Sequence, residues 1–264
     1  MSPEMAEFLR LAPLGFLVGA YGTLVGAGGG SVLVPALLIM LPSESPATIT
    51  AISLAVVFFN AYSGTISYMR MGRVDYRTAV LFTLASVPGA ILGALLVHHL
   101  PRGFFDPLFG SVLLLLGGLL VLFPVAQIGR KEPQTAPPPS RWRSSLAGSI
   151  GSGYIAIISS LLGIGGGIIH VPFLIHVLRQ PPHRATATSH FVLTFMALTA
   201  TITHVLAGEF NRGLAQTMYL AVGVLMGAPL GAALSTKLHG SLIVRLLAVA
   251  LCLVGVRLLA RVFL

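Results

Sequence analysis

LVGAGGGSVLVP at residues 24–35 returns as LLGIGGGIIHVP at residues 161–172, with the glycines and the prolines in register. Each stretch lies inside a long apolar segment. Each glycine costs a helix about 1 kcal/mol relative to alanine, so we expect three in a row to break the helix at both places. A repeated break indicates a duplicated chain in which each half contains one interrupted helix.

The rest of the chain has the composition of a membrane protein. Of its 264 residues, 55% are hydrophobic and 9% are charged, whereas about 25% are charged in an ordinary soluble domain. Runs of about 20 apolar residues, enough to cross a hydrocarbon core of about 30 Å, follow one another along nearly the whole sequence. These runs are long and uniform, and a bilayer requires internal backbone hydrogen bonding. We therefore predict an all-α polytopic protein, with multiple passes through the cell's inner (plasma) membrane.

The order of the spans predicts two homologous halves, residues 1–126 and residues 145–264. Each half contains an interrupted helix region, broken or re-entrant, followed by three transmembrane helices. TAIS at residues 50–53 recurs as TATS at residues 186–189, which supports the repeat. Residues 127–144 are polar, basic and rich in proline, and this composition is typical of an exposed linker. The N-terminus lacks the features of a cleaved signal peptide, so we expect the first span to be retained.

The positive charges between the spans predict the orientation. Arg70, Arg73 and Arg77 fall in one loop and further basic residues in the linker, so both are expected on the cytoplasmic side. If each interrupted region crosses the membrane, the halves are parallel; if each doubles back, they form an inverted repeat. We favour the inverted repeat, because residues 31–41 and 168–178 would each span about 16 Å as helix, half a membrane.

The glycine breaks are the first candidate binding site. A break inside the bilayer frees backbone groups, which is tolerated where they are buried in protein or line a watered cavity. The short helix after each break begins with unpaired N–H donors and a partial positive charge, which attract an anion. The alternative is that the glycines only let helices cross closely. The glycines predicted to contact a substrate are Gly28, Gly29, Gly30, Gly165, Gly166 and Gly167.

Polar side chains near the breaks complete the candidate site. Serine hydroxyls donate to oxyanions, and a histidine binds an anion when protonated or carries a proton in a coupled cycle. Helix capping and structural hydrogen bonding are the alternatives. All seven acidic residues lie in or beside loops, so the spans lack fixed negative charge, which suits an anion. The further predicted substrate-binding residues are Ser31, Ser53, Asn60, His170, Ser189 and His190.

The chain resembles the TauE/SafE family, the sulfite exporters and anion permeases of bacteria. The resemblance is carried by GAGGGSVLVP and GIGGGIIHVP, each followed by TAIS or TATS at the start of the next span, and it covers essentially the whole chain. It implies movement of small sulfur-containing anions such as sulfite or a sulfonate, usually outward. Cysteine-dependent thiosulfate importers are disfavoured because the chain has a single cysteine, Cys252.

These observations together predict a secondary transporter, working as an exporter, of a small sulfur-containing anion bound near the membrane midplane at the two breaks. An anion channel is the alternative. An intramembrane hydrolase is disfavoured, because Ser152 has no histidine at a recognisable spacing, and we predict no enzyme activity, metal or cofactor. No Lys-Ser or Lys-Thr follows either glycine cluster, so a nucleotide-binding loop is excluded. Membrane lipid is an expected partner, nucleic acid is not, and a homodimer is compatible with the sequence.

Overall fold

The computed structural model describes residues 3–122, 141–238 and 240–263. Within these ranges the regular structure is helical, which confirms the predicted all-α fold, and a short 3₁₀ turn follows the fourth helix. The helices in chain order are α1 (Pro3–Val25), α2 (Gly30–Met40), α3 (Pro46–Arg70), α4 (Tyr76–Leu96), α5 (Arg102–Leu122), α6 (Arg141–Leu161), α7 (Gly167–His176), α8 (Pro182–Leu206), α9 (Phe210–Ser235) and α10 (Gly240–Phe263).

Six helices among the described residues are long and apolar enough to cross a membrane, namely α1, α3, α4, α5, α8 and α9. Their outward side chains are apolar as well; Leu84 is 67% exposed and Leu115 is 64% exposed. Such a surface is stable against lipid and not against water. The predicted polytopic membrane protein is therefore confirmed. Most of the predicted linker lies outside the described residues, and α6 begins within it, at Arg141.

The helices pack in a pattern with two-fold symmetry. α1 packs along α9, and its counterpart α6 packs along α4; α3 crosses α8, and α5 pairs with α10. Each helix of the first half corresponds to the helix five places later in the second half. Exchanging the two members of every such pair turns the α1–α9 contact into the α6–α4 contact and leaves the α3–α8 and α5–α10 contacts unchanged. Glycines allow the closest approaches, as where Gly227 of α9 lies against the backbone of Phe16 and Ala20.

The two short helices fold back along the helices that precede them. Leu37 and Met40 of α2 line one cavity together with Glu7 and Leu11 near the start of α1. α1 and α2 therefore form a hairpin. In the second half, Gly148 near the start of α6 lies close to Leu178, just after α7, so α6 and α7 form the equivalent hairpin.

The hairpins open at opposite ends of the bundle. At the first end, Arg102 donates hydrogen bonds to the carbonyl oxygens of Leu38 (2.8 Å) and Glu44 (3.0 Å), just before and after the end of α2. At the other end, Gln180, beyond α7, donates to the carboxylate of Asp75 at 2.9 Å. We call these the Arg102 end and the Asp75 end.

The long central helices run between these two ends. α3 starts at the Arg102 end, where Thr48 bonds to Glu209, and it finishes near Asp75. α8 starts at the Asp75 end, where the hydroxyl of Thr188 accepts a hydrogen bond from the backbone N–H of Asp75. α3 and α8 are therefore antiparallel, and they cross near their midpoints.

Candidate functional site

The two glycine breaks have the same backbone geometry. α1 ends in a Schellman motif, in which Gly26 N–H donates to Thr23 at 3.2 Å and Ala27 N–H donates to Gly22 at 2.8 Å. In the second half, Gly163 and Ile164 repeat it with the carbonyls of Ser160 and Ser159.

Two further glycines in each break are also in the left-handed region. The φ angles are +72° and +83° at Gly28 and Gly29, and +83° and +85° at Gly165 and Gly166. Residues with a Cβ avoid this conformation. The glycine clusters are therefore required by the turns themselves.

The breaks contact each other directly. Gly30 lies against the carbonyl oxygens of Gly163 and Ile164, while its counterpart Gly167 lies against Gly26 and Ala27. At these positions a Cβ would collide with the opposite backbone.

The centre of this contact lies at the middle of the bundle. Val57 and Leu193, near the midpoints of α3 and α8, each touch both Gly28 and Gly165. The breaks therefore meet halfway along the central helices.

Ser53 and Ser189 hold the breaks from the opposite half. Ser53 Oγ donates to the carbonyl oxygen of Gly163 at 2.7 Å, and Ser189 Oγ donates to that of Gly26 at 3.4 Å. Both hydroxyls are fully buried and already have protein acceptors. Their predicted contact with a substrate stays a prediction.

Each short helix begins with free backbone donors. Neither has a side-chain cap at its N-terminus, and the first N–H groups of a helix have no partner within the helix itself. The N–H groups that lack an acceptor among the described residues are those of Gly29, Gly30, Ser31, Gly166, Gly167 and Ile168.

A buried polar cluster lies beside the first break. Thr23 Oγ1 donates to Asn60 Oδ1 at 2.9 Å, and Tyr68 OH donates to the backbone carbonyl of Thr23 at 2.7 Å. The ring of His190 and the methyl group of Thr23 both lie against Gly64, and the ring is edge-on to Tyr68 at 5.4 Å between ring centroids. We call these five residues the Asn60 cluster. Thr23, Gly64 and Tyr68 were not among the predicted site residues. The one indication in the sequence is position: Thr23 comes just before the break on α1, and Gly64 and Tyr68 follow Asn60 by one and two turns on α3.

Several donors in and near this cluster have no partner. Asn60 Nδ2, both ring nitrogens of His190 and Ser31 Oγ are unpaired among the described residues. Asn60 and His190 are 0% exposed and Ser31 is 1% exposed. An unpaired buried polar group typically costs about 1–3 kcal/mol, so a ligand with hydrogen-bond acceptors would stabilise this region.

The cluster lies on the side to which the N-terminus of α2 points. α2 ends at the Arg102 end, so its free N–H groups are directed toward the Asp75 end. Asn60, Gly64 and Tyr68 occupy the half of α3 nearer the Asp75 end. The backbone nitrogen of Gly29 lies against Gly22, the neighbour of Thr23. Helix-end donors and unpaired side chains therefore lie on the same side of the first break.

The second break has a different lining, in which Ser159 Oγ and Ser160 Oγ are also buried and unpaired within the described part of the chain. By the register of TAIS and TATS, Asn60 corresponds to Met196, His190 to Leu54 and Gly64 to Ala200. The methyl group of Met196 lies over Gly166. The two breaks therefore share a backbone but differ in side-chain chemistry. The first break lies beside Asn60 and the unpaired ring of His190, whereas the second lies beside Met196 and the hydrogen-bonded ring of His170.

His170 belongs to a different set of contacts. Its Nε2 lies 2.9 Å from Ser152 Oγ and its Nδ1 lies 3.1 Å from the carbonyl oxygen of Gly166. Ser152 Oγ also lies 3.1 Å from the carbonyl oxygen of Phe82. Both ring nitrogens are thus occupied by groups of α6 and the break. The structure brings His170 to the second break, apart from the Asn60 cluster, and its predicted contact with a substrate stays a prediction.

The described part of the chain shows no cluster of three or more histidine, cysteine, aspartate or glutamate side chains placed to hold a metal ion. The site is built of hydrogen-bond donors at broken helices, buried at the centre of a helical membrane protein. Discontinuous helices whose N-termini meet near the middle of the membrane recur in membrane transporters.

The chain belongs to the sulfite exporter TauE/SafE family, whose model matches residues 11–258. It is similar to the probable membrane transporter protein YunE of Bacillus subtilis, with 29% identity over 96% of this chain and 97% of the relative. A probable membrane transporter protein of Xylella fastidiosa is 31% identical over 86% of this chain and 84% of its own length. No solved structure matches the chain.

A plant relative carries the family name. Sulfite exporter TauE/SafE family protein 5 of Arabidopsis thaliana is 32% identical over 34% of this chain and 20% of its own length. These findings confirm the resemblance predicted from the glycine motifs. The protein is a multi-pass transporter of the cell membrane and not an enzyme.

Proposed function

We propose that the protein is a secondary transporter that exports a small sulfur-containing anion, such as sulfite or a sulfonate. The family and its plant relative are both named as sulfite exporters, which supports the substrate class. The observation that carries the proposal is the set of buried, unpaired donors at the first break. Asn60 Nδ2 and Ser31 Oγ lack partners there, beside the free N–H groups at the start of α2.

The charge around this set favours an anion. The cluster contains an amide, hydroxyls and an imidazole, and no carboxylate. The nearest acidic groups on the flanking helices stand at the bundle ends, where Asp75 caps α4 and Glu209 precedes α9. An oxyanion supplies acceptors to every free donor, whereas a metal cation would be repelled by the positive end of α2.

We further propose that the halves form an inverted repeat. α5 and its counterpart α10 run antiparallel, since Gly110 lies against Leu258 and Gly117 lies against Leu251. Two symmetry-related helices that pack antiparallel are related by an axis perpendicular to them. If the helices stand across the bilayer, that axis lies in the membrane plane. The hairpins that open at opposite ends support the same arrangement.

Transport would then proceed by exposing the central site to each side in turn. The Asn60 cluster is closed off completely, because Thr23, Asn60 and His190 are each 0% exposed. A closed central site fits a carrier in an occluded state.

Proteoliposomes test this proposal. Radiolabelled sulfite, sulfate and methanesulfonate are offered to vesicles that contain purified protein, with and without unlabelled anion inside. We expect saturable entry of a sulfur anion that is accelerated by unlabelled anion on the opposite side. Flux of none of these anions would contradict transport of sulfur anions, and a steady current without exchange would indicate a channel.

A matched pair of variants tests the location of the site. Asn60 and Met196 occupy equivalent positions beside the two breaks. We expect Asn60→Leu to lower the affinity for the anion about tenfold or more, since a buried hydrogen bond to a charged group contributes about 1.5–3 kcal/mol. Met196→Leu should leave the affinity within about twofold, because it replaces one apolar side chain by another of similar volume. Equal effects of the two variants would contradict a site at the first break.

A further inference from the structure

We propose that His190 binds a proton together with the anion, so that the transporter moves the anion and a proton as a pair. This inference rests on the proposed function and deepens it. It starts from the surroundings of His190, which is fully buried in α8 with the Cδ2 and Nε2 atoms of its ring against Gly64 and the ring edge-on to Tyr68. Neither ring nitrogen makes a hydrogen bond of ordinary geometry among the described residues, and the polar group of α8 that interacts with the ring is the backbone of Thr186, one turn earlier.

Most of the neighbouring polar groups are hydrogen-bonded to one another. Asn60 Oδ1 accepts from Thr23, and Tyr68 OH donates to the backbone of Thr23. On α8, one turn after His190, Thr194 Oγ1 lies 3.0 Å from Thr65 Oγ1 of α3. Within the cluster the imidazole therefore has no acceptor for its N–H, and the one side-chain donor left unpaired is Asn60 Nδ2.

An oxyanion beside this ring selects the protonated form. A neutral imidazole carries one N–H and one lone pair, and the lone pair would repel an anion oxygen. A protonated imidazole offers two N–H donors and a positive charge. Burying an isolated anion is costly, and pairing it with a cation at hydrogen-bond distance removes much of that cost.

No permanent cation in the cluster supplies that charge. Tyr68 is the titratable group of α3 that touches His190, and Arg73 lies beyond it, close enough for its charge to act on Tyr68. From the start of α4, Asp75 reaches the first turns of α8 through Thr188, but its carboxylate is held by Thr78 and Gln180.

Two further helices beside the ring contribute described side chains that carry no charge. α7 contributes His170, whose ring nitrogens are both engaged. α1 contributes Thr23, which is uncharged. Protonation of His190 is therefore the way to place a positive charge against the substrate from within the Asn60 cluster, since Arg73, a permanent cation, lies beyond Tyr68.

The site holds one anion and one protonatable ring, His190, so one proton accompanies each anion. One proton enters the ring with the anion from one side of the membrane and leaves with it on the other. A monovalent sulfonate would thus move without net charge, and a divalent anion would move with a net charge of minus one.

The test uses methanesulfonate as the probe, because it stays ionised across the pH range, whereas sulfite itself titrates near neutral pH. Its affinity is measured as a function of pH for the wild type, for His190→Gln, and for His204→Asn as a control. His204 is also buried without a partner, but it lies on the other side of the centre, outside the Asn60 cluster. We expect the wild type and the control to lose about tenfold in affinity per pH unit on the alkaline side. His190→Gln should bind without that slope.

Internal pH in wild-type vesicles provides a second readout that needs no variant. A dye inside the vesicles should report entry of about one proton per methanesulfonate taken up. Suppose that the wild type moves sulfur anions without changing the internal pH, and that His190→Gln keeps the pH dependence of affinity seen in the wild type. The proton pairing is then wrong and the proposed function stands. If the wild type moves none of the anions tested, both fail.

Discussion

Ser53 Oγ donates a hydrogen bond of 2.7 Å to the carbonyl oxygen of Gly163, so a central helix of the first half closes the glycine turn of the second half. The reciprocal bond, from Ser189 to Gly26, is longer at 3.4 Å. Each break is therefore held by the half that does not contain it. The breaks are part of the interface between the halves, and a change in one half acts on the turn of the other.

We expect Ser53→Ala to destabilise the protein more than Ser189→Ala. Removing the shorter bond leaves the buried carbonyl of Gly163 without this donor, at a cost of about 1–3 kcal/mol. The longer bond from Ser189 should cost less. Thermal unfolding in detergent measures the difference, and equal midpoints for the two variants would contradict it.

Gly28→Ala should be strongly destabilising. Gly28 has a φ of +72°, and a Cβ there would collide with the side chain of Leu193. Left-handed backbone costs about 1–2 kcal/mol for a residue with a Cβ, and overpacking adds about 1–3 kcal/mol. Gly118→Ala in α5 is the control, since a Cβ there meets no atom within 4 Å. A Gly28→Ala protein as stable as the control would contradict the geometry of the break.

Ser152→Ala should lower stability while leaving anion affinity unchanged. Ser152 links His170 of α7 to α6, and both ring nitrogens of His170 are already satisfied. The variant leaves Nε2 buried without its partner, at a cost of about 1–3 kcal/mol. Unfolding and anion binding are measured on the same preparation. A fall in anion affinity in the folded variant would contradict this prediction and would indicate that His170 contributes to the substrate site.

Glu209 joins the halves at the Arg102 end and should couple energetically to Thr48. Thr48 Oγ1 donates to Glu209 Oε2 at 2.9 Å, and His98 Nδ1 lies 3.2 Å from the other carboxylate oxygen. In a double-mutant cycle of Thr48→Val and Glu209→Gln, we expect a coupling of at least about 0.5 kcal/mol, as for residues in one hydrogen-bond network. Additive effects would show that the bond does not contribute to stability.

The repeat orientation predicts a labelling pattern. Met71 and Ala207 occupy equivalent positions after α3 and α8, and both are exposed. In a Cys252→Ala background, Met71→Cys and Ala207→Cys should react with a membrane-impermeant maleimide from opposite sides of the membrane. In a parallel repeat they would react from the same side.

The backbone of the breaks was predictable because glycine reports a local requirement. Three consecutive glycines in an apolar span predict a helix end, and the left-handed angles at Gly28, Gly29, Gly165 and Gly166 supply the reason. The short helices that follow, Gly30–Met40 and Gly167–His176, lie close to the predicted ranges.

The side-chain partners at the centre were not predictable from the sequence. Ser53 bonds to a carbonyl more than a hundred residues away in the other half, and no local pattern encodes that contact. In the sequence Thr23 is an ordinary residue of an apolar helix, and only the packing of α1 against α3 brings it to Asn60. His170 and His190 look alike in the sequence, and only the packing separates a bonded imidazole from an unpaired one.

The most direct test of the account is to locate the bound anion itself. Selenite is the selenium analogue of sulfite, and its anomalous scattering would mark its position in crystals of the protein. The account predicts one peak beside the first break, within hydrogen-bond distance of the backbone nitrogens of residues 29–31 and of Asn60 Nδ2. A peak beside Met196 at the second break, or bound selenite away from both breaks, would contradict it.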